Sequence, residues 1–87
     1  MIKLSEYEVS LSERLLITLH NLCATSGEMA KKSEDLAQIL QTDLNTVDQD
    51  LDKHISDGYV ADYRDQEGSR RFYLTGKGII RVSSLFS

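Results

Sequence analysis

The sequence predicts a small α+β domain in which three helices form a core, a β-hairpin follows, and a short C-terminal helix ends the chain. Three observations carry that expectation. Apolar residues recur at helical spacing in three segments before Gly58, the pattern turns extended and aromatic after it, and the two extended runs flank a polar tip.

Each element has its own signal. Ser10-Leu11-Ser12-Glu13 has the spacing of a capping box, in which the Ser hydroxyl and the Glu carboxylate each satisfy a free N–H of the first helical turn. Leu11, Leu15, Leu16, Leu19, Leu22 and Cys23 then form one apolar stripe, and Gly27 is placed to take the left-handed conformation that ends the helix. Met1 to Val9 reads as a loose strand or helical lead-in, with Ile2, Leu4, Tyr7 and Val9 as its apolar members. After a polar connection from Glu28 to Lys32, Ser33 is the expected N-cap of a short second helix, with Glu34 and Asp35 favourable to its dipole. That helix runs through Leu36, Ala37, Ile39 and Leu40 to Gln41-Thr42. Asp43 caps a third helix with Leu44, Val47, Leu51 and Ile55, and Gly58 ends it. Two helices so closely joined suggest a helix-turn-helix.

After Gly58, Tyr59 to Arg64 and Arg70 to Thr75 read as strands around the turn residues Asp65-Gln66-Glu67-Gly68-Ser69. Gly76-Lys77-Gly78 breaks the second strand, and Ile79, Ile80, Val82, Leu85 and Phe86 follow as a short helix or apolar tail.

Helix, helix, helix and β-hairpin in that order make a winged helix-turn-helix, and the residues themselves resemble that superfamily. Leu36-Ala37-Gln38-Ile39-Leu40 resembles its LAxxL second helix, and Asn45-Thr46-Val47, Leu51 and Asp57-Gly58-Tyr59-Val60 resemble its recognition helix and exit. Arg70 to Gly78 is similar to the stretch ending Leu-Thr-x-x-Gly that closes the wing in MarR-like and PadR-like regulators. The likeness spans Ser10 to Gly78. Those families carry long extra helices for dimerisation, whereas nine residues follow Gly78 here, a brevity shared with small archaeal and archaeal-virus winged-helix proteins.

Length bounds the rest. With 87 residues a single domain over 1–87 is expected, with 1–9 as lead-in and 79–87 as apolar tail. No apolar run approaches the roughly 18 residues of a membrane span, and Met1 to Glu6 lacks a signal-peptide core, so a cytoplasmic protein is expected. Cys23, the sole cysteine, excludes an intrachain disulfide and reads as a small buried apolar residue. The net charge of -4 argues weakly against nucleic acid, but its distribution is polarised. Residues 59–87 carry Arg64, Arg70, Arg71, Lys77 and Arg81 against Asp62, Asp65 and Glu67, a net of +2.

On the third helix Val47, Leu51, Leu44, His54 and Ile55 fall in one sector, which must face the core. Gln49 and Lys53 centre the opposite sector, flanked by Asn45, Thr46 and Ser56. Asn and Gln pair bidentately with adenine in the major groove, each good pair giving about 1 to 3 kcal/mol of discrimination. Asn45, Thr46, Gln49 and Lys53 are therefore candidate DNA contacts, and Arg64, Arg70 and Arg71 candidate backbone or minor-groove contacts of the wing. Bland alternatives stand beside these: a merely solvated helix face, and arginines paired across the hairpin with Asp62, Asp65 and Glu67. Asp52 borders the exposed sector and would either meet cytosine N4 or pair with a nearby cation. Lys31 and Lys32 precede the second helix, as a backbone contact or a plain solvated loop.

His20, Cys23 and His54 match no metal-sensor motif, no phosphate-binding loop is present, and no nucleophile and base are arranged together. No cofactor or metal is expected, and no enzyme. The expected function is a sequence-specific double-stranded DNA-binding transcriptional regulator, acting as a homodimer through the C-terminal tail, first helix or lead-in segment. The alternative is a winged helix that docks to protein and does not bind DNA.

Overall fold

The computed structural model describes residues 9–85. Most of the lead-in, with Ile2, Leu4 and Tyr7, lies outside the described residues, as does Phe86 of the tail. The element order is α1 (Leu11–Asn21), β1 (Lys31–Lys32), α2 (Ser33–Leu40), α3 (Leu44–Ser56), β2 (Val60–Arg64), β3 (Arg70–Leu74) and α4 (Gly76–Leu85), with a 3-10 turn at Gly27–Met29. The strands form one antiparallel sheet in the order β1-β3-β2.

The capping box forms: Ser10 Oγ accepts from the Glu13 N–H at 3.1 Å, and the Ser10 N–H donates to Glu13 Oε1 at 3.3 Å. Helix α1 ends two residues earlier than the apolar stripe implied. Cys23, not Gly27, takes the left-handed conformation at φ 57, its N–H bonding His20 O while the Ala24 N–H bonds Leu19 O. That paired closure is the Schellman motif. Cys23 therefore points outward and is exposed, contrary to the buried role expected of it.

Ser33 also departs from expectation. It is the first residue of α2 rather than its N-cap; its hydroxyl donates to Glu34 Oε1, and Lys32 occupies the capping position without a side-chain bond. Lys31 and Lys32 have paired with β3 instead of forming a loop, facing Phe72 and Arg71. Ile39 is 52% exposed, since it lies roughly 100° around the helix from the centre of the buried Leu36, Ala37 and Leu40.

The core gathers Leu15, Leu16 and Leu19 of α1, Leu36 and Leu40 of α2, Val47 and Leu51 of α3, Val60, Phe72 and Leu74 of the sheet, and Val82 of α4. Each buried Leu or Phe contributes about 1.5 to 3 kcal/mol. Strand β3 is the hub: it pairs on both edges, and beyond β1 the Leu74 N–H reaches Ala24 O at 2.7 Å. Thr75 ends the strand and caps α4, accepting the Gly78 N–H at 3.0 Å while donating to Gly58 O at 2.6 Å. Gly76 and Gly78 thus belong to the helix rather than interrupting the chain ahead of it.

The hairpin tip is organised by Asp65. Its Oδ1 accepts the N–H groups of Glu67 and Ser69, both at 2.9 Å, and its Oδ2 accepts Arg71 Nε at 2.7 Å. The Arg71 bond, and after it the Ser69 amide, hold the Asp65 carboxyl below its ordinary range.

Two outcomes test this packing. A Cβ on Gly78 would run into the Tyr59 carbonyl and stand 2.9 Å from Leu74 Cδ2, so Gly78→Ala is expected to lower the urea-unfolding free energy by about 1 to 3 kcal/mol. An unchanged midpoint would refute the close approach of α4 to the sheet. Because Asp65 is more acidic folded than unfolded, its contribution is present above about pH 3.9 and is lost as pH falls through the lower folded value. Melting temperatures of wild type and Asp65→Asn should therefore differ near about pH 6 and converge towards about pH 2. A constant difference across that range would contradict the carboxylate's role at the tip.

Candidate nucleic-acid interface

Helix α3 acquires its orientation from both ends. At its start Asp43 Oδ2 accepts the Thr46 N–H at 2.9 Å, and Thr46 Oγ1 donates to Asp43 Oδ1 at 2.8 Å. The Thr46 hydroxyl, then its amide, hold the Asp43 carboxyl below the usual range. At its end Gly58, at φ 84, closes a second Schellman motif through Gly58 N–H to Ile55 O and Tyr59 N–H to His54 O.

Between the caps, Val47, Leu51 and His54 are buried and Ile55 is half-buried. His54 Nε2 lies 2.8 Å from Ser12 O and 3.0 Å from Ser12 Oγ. The carbonyl can only accept, so Nε2 carries the proton and α3 is tied to the first turn of α1. Nδ1 is buried without a hydrogen-bond partner among the described residues. Leu44 departs from the expected core sector and is 41% exposed, because the first residue of α3 projects beyond the elements that cover Val47 one turn later.

With the inner side fixed, Asn45, Gln49, Lys53 and Ser56 are exposed and Thr46 is half-buried beside its cap. The four candidate residues Asn45, Thr46, Gln49 and Lys53 therefore occupy successive turns of one helix, and none of the exposed three is turned into the core. Asp48 and Asp50, at the border of the sector, are half-buried.

The hairpin brings its arginines to different places. Register pairs Arg64 with Arg70, Asp62 with Phe72 and Tyr63 with Arg71, so Arg70 shares the face of the buried Phe72 and Leu74 while Arg71 lies on the other. Arg70 Nε donates to Asp62 Oδ2 at 2.6 Å, its Nη2 to Asp52 Oδ1 at 3.1 Å, and its guanidinium lies 4.9 Å from the centre of the Phe72 ring. The Asp62 bond, more than the Asp52 bond, raises the Arg70 pKa further above its already high value. Arg71 pairs with Asp65 and also donates to Ala30 O at 3.3 Å, bracing the start of β1 against the wing. Arg64 is exposed near the tip and donates to a backbone acceptor, Gly68 O at 2.8 Å. Among the described residues Lys31, Lys32, Lys53 and Arg64 make no ion pair.

Between the N-terminus of α2, the side of α3 and the tip-proximal half of β3 runs a groove of about 370 Å³ lined by Lys32, Ser33, Asp48, Asp52, Ser69 and Arg70, among others. Lys32 is expected from sequence as a backbone contact or a solvated loop, but sequence reasoning puts neither it nor Ser33 on one surface with Arg70. Only the pairing of β1 with β3 puts them there, and a two-residue strand leaves no periodic signal. No three His, Cys, Asp or Glu side chains among the described residues gather as a metal site. No helix among them is long and apolar enough to cross a membrane.

No protein-family model and no curated protein matches the sequence. Solved structures do. The DNA-binding TubR fragment from Clostridium botulinum superposes with a TM-score of 0.75 at 23% identity, over 97% of this chain and 99% of that one. S. aureus MepR, solved in complex with DNA, gives 0.71 at 22% identity over 93% of this chain and 64% of MepR. A MarR-family transcriptional regulator from Silicibacter pomeroyi gives 0.71 at 24% identity over 90% of this chain and 50% of its own length. The chain thus spans nearly all of the TubR fragment and only part of the other two. Helices α2 and α3 followed by the β2–β3 wing make this chain a winged helix-turn-helix domain.

Proposed function

We propose that the chain is a sequence-specific double-stranded DNA-binding transcriptional regulator, with α3 in the major groove and the wing on the backbone or minor groove. The observation that carries this reading is the exposure of Asn45, Gln49 and Lys53 along one side of α3, next to a groove bounded by the wing. A TubR fragment described as DNA-binding and MepR solved with DNA, both similar in fold, support it.

In this reading Asn45 and Gln49 address base edges, with Thr46 beside them, and Lys53 and Arg64 neutralise phosphates. Arg70 and Arg71 act from the wing, where Asp62 and Asp65 already hold their side chains in place. One such domain buries too little surface to bind tightly alone, so a two-fold dimer on a pseudo-palindrome is expected. Helix α4 offers the contact: Ile80 is 72% exposed there, with Leu85 half-buried on the same helix.

The ion pairs of Arg70 and Arg71 favour a second reading, a winged helix that docks to a protein through the acidic border of α3 and leaves DNA alone. Selection from random duplexes separates the two. Wild type should enrich a two-fold motif, and the double variant Asn45→Ala, Gln49→Ala should lose about 1 to 3 kcal/mol of preference per bidentate contact at two positions of it. Arg64→Ala should weaken all duplexes alike and flatten the log–log salt slope by about 1. Failure of wild type to enrich any motif would favour the docking reading. For assembly, Ile80→Asp should shift the sedimenting species from dimer to monomer, and an unaltered mass would exclude α4 as the interface.

A further inference from the structure

Arg70 has one side that is anchored and one that is exchangeable. Its Nε meets Asp62 at 2.6 Å within the same sheet, and its guanidinium carbon lies over the ring of the buried Phe72. These contacts set where the guanidinium sits. Its Nη2 turns instead to Asp52 at 3.1 Å, a residue of a different element 18 positions away in sequence, whose side chain is 62% exposed. The Arg70 side chain is itself 37% exposed at this point. A carboxylate oxygen and a phosphate oxygen offer a guanidinium nearly the same acceptor. Asp52 and Arg70 both line the groove between α3 and the wing, so the acceptor that Asp52 offers stands at an open surface.

We infer that Asp52 is a specificity determinant: it occupies the wing guanidinium of Arg70 in place of a DNA phosphate, and so suppresses binding to duplexes of unrelated sequence. This rests on the DNA-binding reading above. On an unrelated duplex the chain would have to break the Asp52 contact with no base contacts from Asn45 and Gln49 to offset the loss. On a matched site those contacts compensate, Arg70 exchanges partners, and Asp62 keeps it aligned throughout. An exposed pair of this kind is weak in water, which makes the exchange reversible.

The test compares wild type, Asp52→Asn and Asp48→Asn on a random-sequence duplex of about 30 base pairs over a series of salt concentrations. Asp48 lines the same groove, while the ion pairs of Arg70 among the described residues are to Asp52 and Asp62, so the Asp48 variant reports the effect of removing one negative charge. Asp52→Asn should bind the duplex about tenfold more tightly than wild type, with a log–log salt slope steeper by about one contact, while Asp48→Asn gains less and keeps the wild-type slope. Equal gains from the two variants, or weaker binding by Asp52→Asn, would overturn the inference and leave DNA binding intact. If neither wild type nor any variant binds any duplex at low salt, the DNA-binding reading falls and the inference with it.

Discussion

Val47, Leu51 and His54 lie beneath the rest of the domain, and their burial decides what the opposite side of α3 presents to solvent. A helix rolled by one residue, about 100°, would bring aspartates into the core. Three contacts prevent it: the Asp43 cap at one end, the Schellman closure at Gly58, and the His54 bond to the first turn of α1. A surface that is to recognise anything needs this rigidity, because side chains held on a fixed helix lose less freedom on binding than side chains on a loop.

The wing is fixed by charge rather than by apolar packing at its outer end. Asp65 folds the tip and holds Arg71, Arg71 braces Ala30, and Arg70 joins β2 to α3 through Asp62 and Asp52. Each of these exposed or partly exposed pairs contributes little stability by itself. Their collective consequence is geometric: wing and third helix are positioned relative to one another across the groove. Within a net charge of -4, the acidity beside α3 is partly offset where Asp52 and Asp62 share the one guanidinium of Arg70. Lys53 and Arg64 remain as cations outside any ion pair among the described residues.

Much of the architecture was legible because its signals are local. The Ser10 and Asp43 caps, the Gly58 terminus and the Asp65-to-Ser69 tip each depend on a few adjacent residues, and each sits where the residue types implied. What escaped depends on distance. Nothing near Lys31 announces a strand, because its partner is Phe72. Cys23 continued the apolar stripe, but α1 ends at Asn21, and a non-glycine residue in the left-handed conformation is a poor guess from sequence. Leu44 and Ile39 matched a helical period while standing outside the contact area of their helices. The site divides the same way. The outward face of α3 follows from periodicity, whereas the partner of Asp52 could only be named as some nearby cation until the hairpin was seen to lean Arg70 against it.

Backbone amide shifts of the isotope-labelled chain, followed by NMR while duplex DNA is added, address the central claim most directly. Contact through α3 and the wing predicts that the largest changes fall on residues 45–53 and 64–70, with α1 little affected. Changes confined to α1 and α4, or a spectrum indifferent to duplex at low salt, would contradict it.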